Sequence, residues 1–187
     1  MIKAIIFDCF GVLATEAWLP FKAKYFRNDP KKFEEASDLA KQANAGLISH
    51  QDFINSAAQL AGISPQEAEQ FISRNVPNEE LFALITQLKK TYKIGFLSNI
   101  AGDFLQRMFT KEQLTLFDQT SLSFETGFVK PDPRAFIEMT TKLGVEPNEA
   151  VMVDDQERII TGAREAGLQA ILFKDYEDFK ISLDKLL

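Results

Sequence analysis

Asp8, Ser98 and the pair Asp154-Asp155 each stand where an apolar run stops: Ile5-Ile6-Phe7, Ile94-Gly95-Phe96-Leu97 and Val151-Met152-Val153. Apolar runs of this length, ended by an acid or a hydroxyl, read as buried parallel strands. Open parallel sheets bind their ligands at the carboxyl edge of such strands. Lys130 lies in Gly127-Phe128-Val129-Lys130-Pro131-Asp132-Pro133, whose glycine and prolines hold it as a loop. Carboxylates, a hydroxyl and an ammonium brought to one edge from distant parts of the chain would form a polar ligand crevice. Taken singly, each has a plainer reading: Ser98 as a helix cap, Lys130 as a surface lysine, the acid pair as a helix start favoured by the dipole. Their coincidence at strand ends favours the crevice. Cys9 invites a nucleophile reading but fits better as a small apolar residue of a buried strand. His50, the single histidine, has no partner for a relay and reads as a helix-end residue.

The elements that must position these groups follow from periodicity. After Leu13 the pattern turns helical: Trp18, Leu19, Phe21, Tyr25 and Phe26 recur at helical spacing, and Asn28-Asp29-Pro30 marks a turn and a helix start. Phe33, Ala36, Leu39, Ala40 and Ala43 form the next apolar face, which stops near Gly46. Ser49 reads as the N-cap of a third helix ending at Gly62. Ser64-Pro65-Gln66-Glu67 starts a fourth, with Glu67 at the capping-box position. Consecutive helices with no strand between them break a βαβ alternation and read as an inserted helical subdomain over residues 14–76. From Pro77 the alternation resumes. Helices are expected through Leu81 to Leu88 and over residues 104–109, 134–143 and 159–166; strands over 93–97, 120–124, 150–153 and 169–173. The predicted fold is α/β, a doubly wound parallel sheet built from residues 1–13 and 77–187.

Composition narrows the partners. Hydrophobic residues make up 45% and charged residues 26% of 187, ordinary for a globular protein and enough for one core with a smaller insert. The formal net charge of −6, with only short basic pairs at Lys31-Lys32 and Lys89-Lys90, argues against nucleic acid as a partner. One cysteine permits no intrachain disulfide and fits a reducing compartment. No signal peptide and no apolar stretch of membrane-spanning length is present, so a cytoplasmic protein without membrane association is expected. Whether it is a monomer or a dimer stays open.

In order and spacing, these motifs resemble those of the haloacid dehalogenase-like (HAD) superfamily. Asp8 to Leu13 is similar to its first motif, Leu97-Ser98-Asn99 to its second, Lys130 to Pro133 to its third, and Val153-Asp154-Asp155 to its fourth. Gly127, Phe136, Leu143-Gly144-Val145 and Pro147 add the context of the subgroup with a small helical cap. The cap itself is matched by its place between the first two motifs and by Gly46-Leu47-Ile48-Ser49. The resemblance implies a Rossmann-like HAD core with a small α-helical cap. It further implies a Mg²⁺-dependent phosphatase of a small phosphorylated metabolite, acting through an aspartyl-phosphate on Asp8. Mg²⁺ would be held by Asp8, the backbone carbonyl of Phe10, Asp155 directly, and Asp154 directly or through water. Lys130 would neutralise Asp8 and the phosphate, while Ser98, Asn99 and Gly11 would contact the substrate's phosphate.

The chain departs from the family pattern at two positions. Phosphatases of the family carry a second Asp two residues after the nucleophile, as general acid and base; Phe10 stands there. A backbone carbonyl survives the change, but phenylalanine moves no proton, and general acid-base catalysis is worth about 10²–10⁴-fold. Good leaving groups, such as acyl or aryl phosphates, would suffer least. Ile159 stands where an Asn usually supports the acid pair, with Gln156 or Arg158 as the candidate substitutes. Two other readings remain beside the phosphatase: a non-catalytic phosphate- or ligand-binding relic, and a metal-independent dehalogenase-type hydrolase with Arg27 or Arg74 as halide ligand.

Overall fold

The computed structural model describes residues 1–102 and 105–187. Its centre is β1 (Ala4–Phe7), a fully buried strand whose side chains divide between two layers. Ile5 and Phe7 enter one apolar cluster and Ala4 and Ile6 the other, as a two-residue period requires of a strand covered on both faces. Flanking it are β2 (Lys93–Ser98), β3 (Gln119–Leu122), β4 (Ala150–Asp154) and β5 (Gln169–Leu172). All pairings are parallel and the order is β3-β2-β1-β4-β5. The chain reverses its direction of travel across the sheet at β1, so the ends of β1 and β4 open onto the crevice where such sheets take ligands.

Four helices intervene between β1 and the rest of the core: α1 (Trp18–Phe26), α2 (Pro30–Asn44), α3 (His50–Ala61) and α4 (Pro65–Ile72). Their starts obey local chemistry. Asp29 accepts the Lys32 N–H, Ser49 the Asp52 N–H and Ser64 the Glu67 N–H. The Glu67 side chain does not close a capping box; its carboxylate instead accepts from the Tyr25 hydroxyl at 3.3 Å. These helices bury a cluster of their own, centred on Phe21, Phe26, Ile54 and Ala57.

The remaining helices are α5 (Glu79–Leu88), α6 (Leu105–Met108), α7 (Lys111–Leu114), α8 (Ser123–Thr126), α9 (Pro133–Leu143), α10 (Glu157–Glu165) and α11 (Tyr176–Leu186). α9 and α10 cover the Ala4/Ile6 face, and α5 and α11 the Ile5/Phe7 face. Phe104, the expected start of the helix after β2, lies outside the described residues. One expected boundary needs correction. β3 ends at Leu122 rather than at residue 124, because the Ser123 hydroxyl accepts the Ile100 N–H at 3.0 Å and the chain turns into α8. The chain also continues past β5 into α11, capped by Asp175, with Phe179 set edge-on to Phe7 at 6.0 Å. No helix among the described residues is long and apolar enough to cross a membrane.

Candidate active site

Asp8 directly follows β1, and its N–H donates to the Val153 carbonyl at 2.9 Å, so the β1–β4 ladder sets its position. The Lys130 ammonium bridges two carboxylates, 2.9 Å from Asp8 Oδ1 and 2.6 Å from Asp154 Oδ2. All three side chains are nearly inaccessible, at 7%, 2% and 0% exposure, so water screens this chain of charges poorly. The other Asp154 oxygen, Oδ1, accepts the Gln156 N–H at 3.0 Å and shapes the turn after β4. Burial pushes the Asp8 carboxyl up to about 7, against the pull of Lys130 and with a further push from Asp154. Lys130 is displaced upward: its two carboxylate partners outweigh the cost of burying the ammonium. Burial, then Asp154, raises Asp155, against smaller pulls from its own backbone N–H, from Lys130 and from Gln156.

Asp8, Asp154 and Asp155 place carboxylate oxygens within 4.8 Å of one another. Three acids against one buried lysine leave negative charge uncompensated, and an all-oxygen donor set of this kind suits a hard divalent cation such as Mg²⁺. Gly11, at φ +82°, lets Asp155 come in: a Cβ there would lie 2.2 Å from Asp155 Oδ2. The Gly11 N–H donates to the Ala14 carbonyl at 2.8 Å, so Gly11 shapes the acid cluster rather than offering a donor to a substrate. Ser98 Oγ is buried with no hydrogen-bond partner among the described residues, an orphan hydroxyl that a phosphate oxygen would satisfy.

Asn99 does something its sequence position does not announce. Its Nδ2 donates to the Lys130 carbonyl at 2.9 Å and its Oδ1 accepts the Lys130 N–H at 2.8 Å, clamping the backbone of the loop that presents the lysine. The Lys130–Pro131 bond in that loop is cis. Gly162 of α10 packs under the same loop, with room for no Cβ: one would lie 2.9 Å from the Pro131 carbonyl oxygen. Asn99→Ala should lower the unfolding free energy by about 1–3 kcal/mol, because it strands a buried donor and acceptor. A urea melt reads this as a reduced midpoint; an unchanged midpoint would show that the clamp adds nothing to the fold.

Asp8, Phe10, Asn99, Lys130, Asp154 and Asp155 line one cavity beneath the helical insert. Ser98 and Gly11 are not among the residues that line it. Cys9 is fully buried, 3.9 Å from Met108 Sδ, and burial pushes its thiol well up, so it acts as an apolar filler. Ile159 is buried among the apolar side chains of α9, α10 and β4. Of the candidate substitutes, Gln156 accepts from Arg158 Nε at 3.1 Å through its Oε1. Arg27 and Arg74 do not line the cavity. One lining acid escaped the sequence reading, Glu16, whose oxygens accept the N–H groups of Trp18 at 2.6 Å and Leu19 at 2.7 Å. Its signal was available: an acid just before a helix start, where the dipole favours one.

A family model described as a haloacid dehalogenase-like hydrolase matches residues 2–167. Among curated proteins, the chain is 30% identical over 212 aligned residues to the glyceraldehyde 3-phosphate phosphatase of Methanopyrus kandleri, spanning 96% of this chain and 88% of that one. Among solved structures, it is similar to a HAD-family enzyme of Bacteroides thetaiotaomicron crystallised with magnesium and inorganic phosphate. That likeness has a TM-score of 0.77 at 26% identity and covers 96% of this chain and 99% of the other. The L-2-haloacid dehalogenase of Xanthobacter autotrophicus shares the fold, with a TM-score of 0.66 at 21% identity over 99% of this chain and 83% of that one.

Proposed function

Because the chain belongs to the haloacid dehalogenase-like hydrolases, we propose that it is a Mg²⁺-dependent phosphatase of a small phosphorylated metabolite, with Asp8 as nucleophile and residues 14–76 as a cap over the site. The observation that carries this reading is the buried Asp8–Lys130–Asp154 chain of charges with Asp155 beside it. A dehalogenase needs no cation, and extra carboxylates would repel its anionic substrate.

An Asp8 oxygen attacks phosphorus, the bond from phosphorus to the leaving-group oxygen breaks, the leaving group departs as its anion or takes a proton from water, and an aspartyl-phosphate forms; water then attacks that phosphorus and gives its proton to solvent, releasing phosphate and the free carboxylate. Lys130 holds the Asp8 carboxylate in its attacking position and offsets the charge of the phosphoryl oxygens. Ser98 Oγ donates to one of those oxygens. Asp8, Asp155 and the Phe10 carbonyl would hold Mg²⁺, with Asp154 a further ligand directly or through water. When bound, the cation neutralises the dianionic phosphate beside the acids. Asn99 positions Lys130 through its backbone. The side chain at Phe10 supplies no proton to the departing oxygen.

Phosphate release should therefore appear with Mg²⁺, vanish with chelator, and fall to background in Asp8→Asn. Halide release from a haloacid in the presence of chelator would replace this reading with the dehalogenase one. A folded protein that does neither, yet is stabilised by Mg²⁺ and phosphate, would be a binding relic.

A further inference from the structure

The cavity over Asp8 has a volume of about 290 Å³, at the small end for ligand sites. Its two sides differ in chemistry. The core side carries the acids and Lys130. The facing side includes Trp18, Ala40, Phe53 and Ile72, the neutral amides of Asn44 and Asn75, and the titratable Glu16 and His50. The aromatic wall is firmly backed: Trp18 and Phe53 ring centroids are 4.8 Å apart, and Trp18 stacks on the fully buried Phe21 at 5.4 Å. Asn75 Oδ1 is buried and has no hydrogen-bond partner among the described residues, an acceptor left for a donor to meet.

Among the described residues that line this side there is no lysine or arginine, and its one histidine, His50, directs Nε2 at Glu69, 3.2 Å away. Lys130, between Asp8 and Asp154, and Arg158, whose Nε donates to Gln156 Oε1, belong to the core side. Glu16 adds a carboxylate fixed by two backbone N–H groups. A leaving group bearing a carboxylate or a second phosphate would lose its hydration here without gaining a counter-ion, and would meet Glu16.

We propose that this cavity selects phosphate monoesters whose leaving group is uncharged, with an apolar face for Trp18 and Phe53 and a hydroxyl for Asn75, and that it rejects esters of anionic hydroxy compounds. The inference rests on the phosphatase reading above.

Calorimetric titration of the full chain with Mg²⁺, using four unreactive probes, separates the two. Inorganic phosphate should bind, phenylphosphonate about 10-fold more tightly through the aromatic wall, and phosphonoacetate more weakly than phosphate. If phosphonoacetate or 2-aminoethylphosphonate binds tightest while phosphate still binds, the selectivity is overturned and the phosphatase reading stands. If phosphate itself fails to bind, both fall. Asn44→Arg, at the end of α2 where a cation suits the helix dipole, should move the phosphonoacetate-to-phenylphosphonate affinity ratio by at least about 10-fold toward the carboxylate. An unmoved ratio in a folded variant overturns the proposal. Should that variant not fold, Asn75→Lys carries the same readout.

Discussion

Lys130→Met should lower the stability of the metal-free protein by about 3–5 kcal/mol, the cost of removing one partner from a buried ion pair. The methionine fills most of the volume, so the loss reads charge rather than cavity. Lys130 Nζ lies within 3 Å of both Asp8 and Asp154, and both carboxylates are nearly inaccessible to solvent. Without the ammonium, buried carboxylates face one another with Asp155 close by, and their mutual repulsion goes uncompensated. A divalent cation addresses the same excess charge. Mg²⁺ should therefore raise the urea midpoint of Lys130→Met more than that of the wild type, although Lys130→Met should release no phosphate. Equal midpoints for the two proteins in chelator would show that Lys130 is not what holds the acid cluster together.

Much of this arrangement is legible in the sequence because it depends on strand ends. Asp8, Ser98 and Asp154 close runs whose burial needs only their composition, and a parallel sheet brings those ends to one edge. The helix starts at Asp29, Ser49 and Ser64 are legible for an equally local reason, a side-chain acceptor placed ahead of orphan N–H groups. What stayed hidden depends on what covers what. Trp18, Phe21, Tyr25 and Phe53 are equivalent as members of apolar helical faces, yet Phe21 is core, Tyr25 packs beside Glu67, and Trp18 and Phe53 form the cavity wall. Periodicity locates a face and says nothing of its partner. Asn99 shows the same limit: its place after Ser98 points to the ligand edge, but its use as a backbone clamp depends on a loop 31 residues away.

Phe10→Asp should raise turnover of alkyl phosphates by about 10²-fold or more, within the 10²–10⁴ that a positioned proton carrier provides. Phe10 lines the cavity two residues after Asp8, so a carboxyl there would face the cavity without removing the backbone carbonyl. The substitution has a structural cost, since the Phe10 ring also packs against the main apolar cluster. Loss of that packing should lower stability by about 1–3 kcal/mol. It also adds a charge to a site already rich in acids, so the gain should require Mg²⁺. The diagnostic is the dependence on leaving group. An aryl phosphate departs as a stabilised phenolate and needs little protonation, so its turnover should rise far less than that of an alkyl ester. Phe10→Asn isolates the proton, because it has nearly the shape of Asp, opens the same space and supplies no acid. Equal gains in Phe10→Asp and Phe10→Asn would mean that the ring limits access rather than chemistry. No gain in a folded Phe10→Asp would mean that the departing oxygen takes its proton from elsewhere, with Glu16, an acid contributed to the cavity lining by the helical insert, as the candidate.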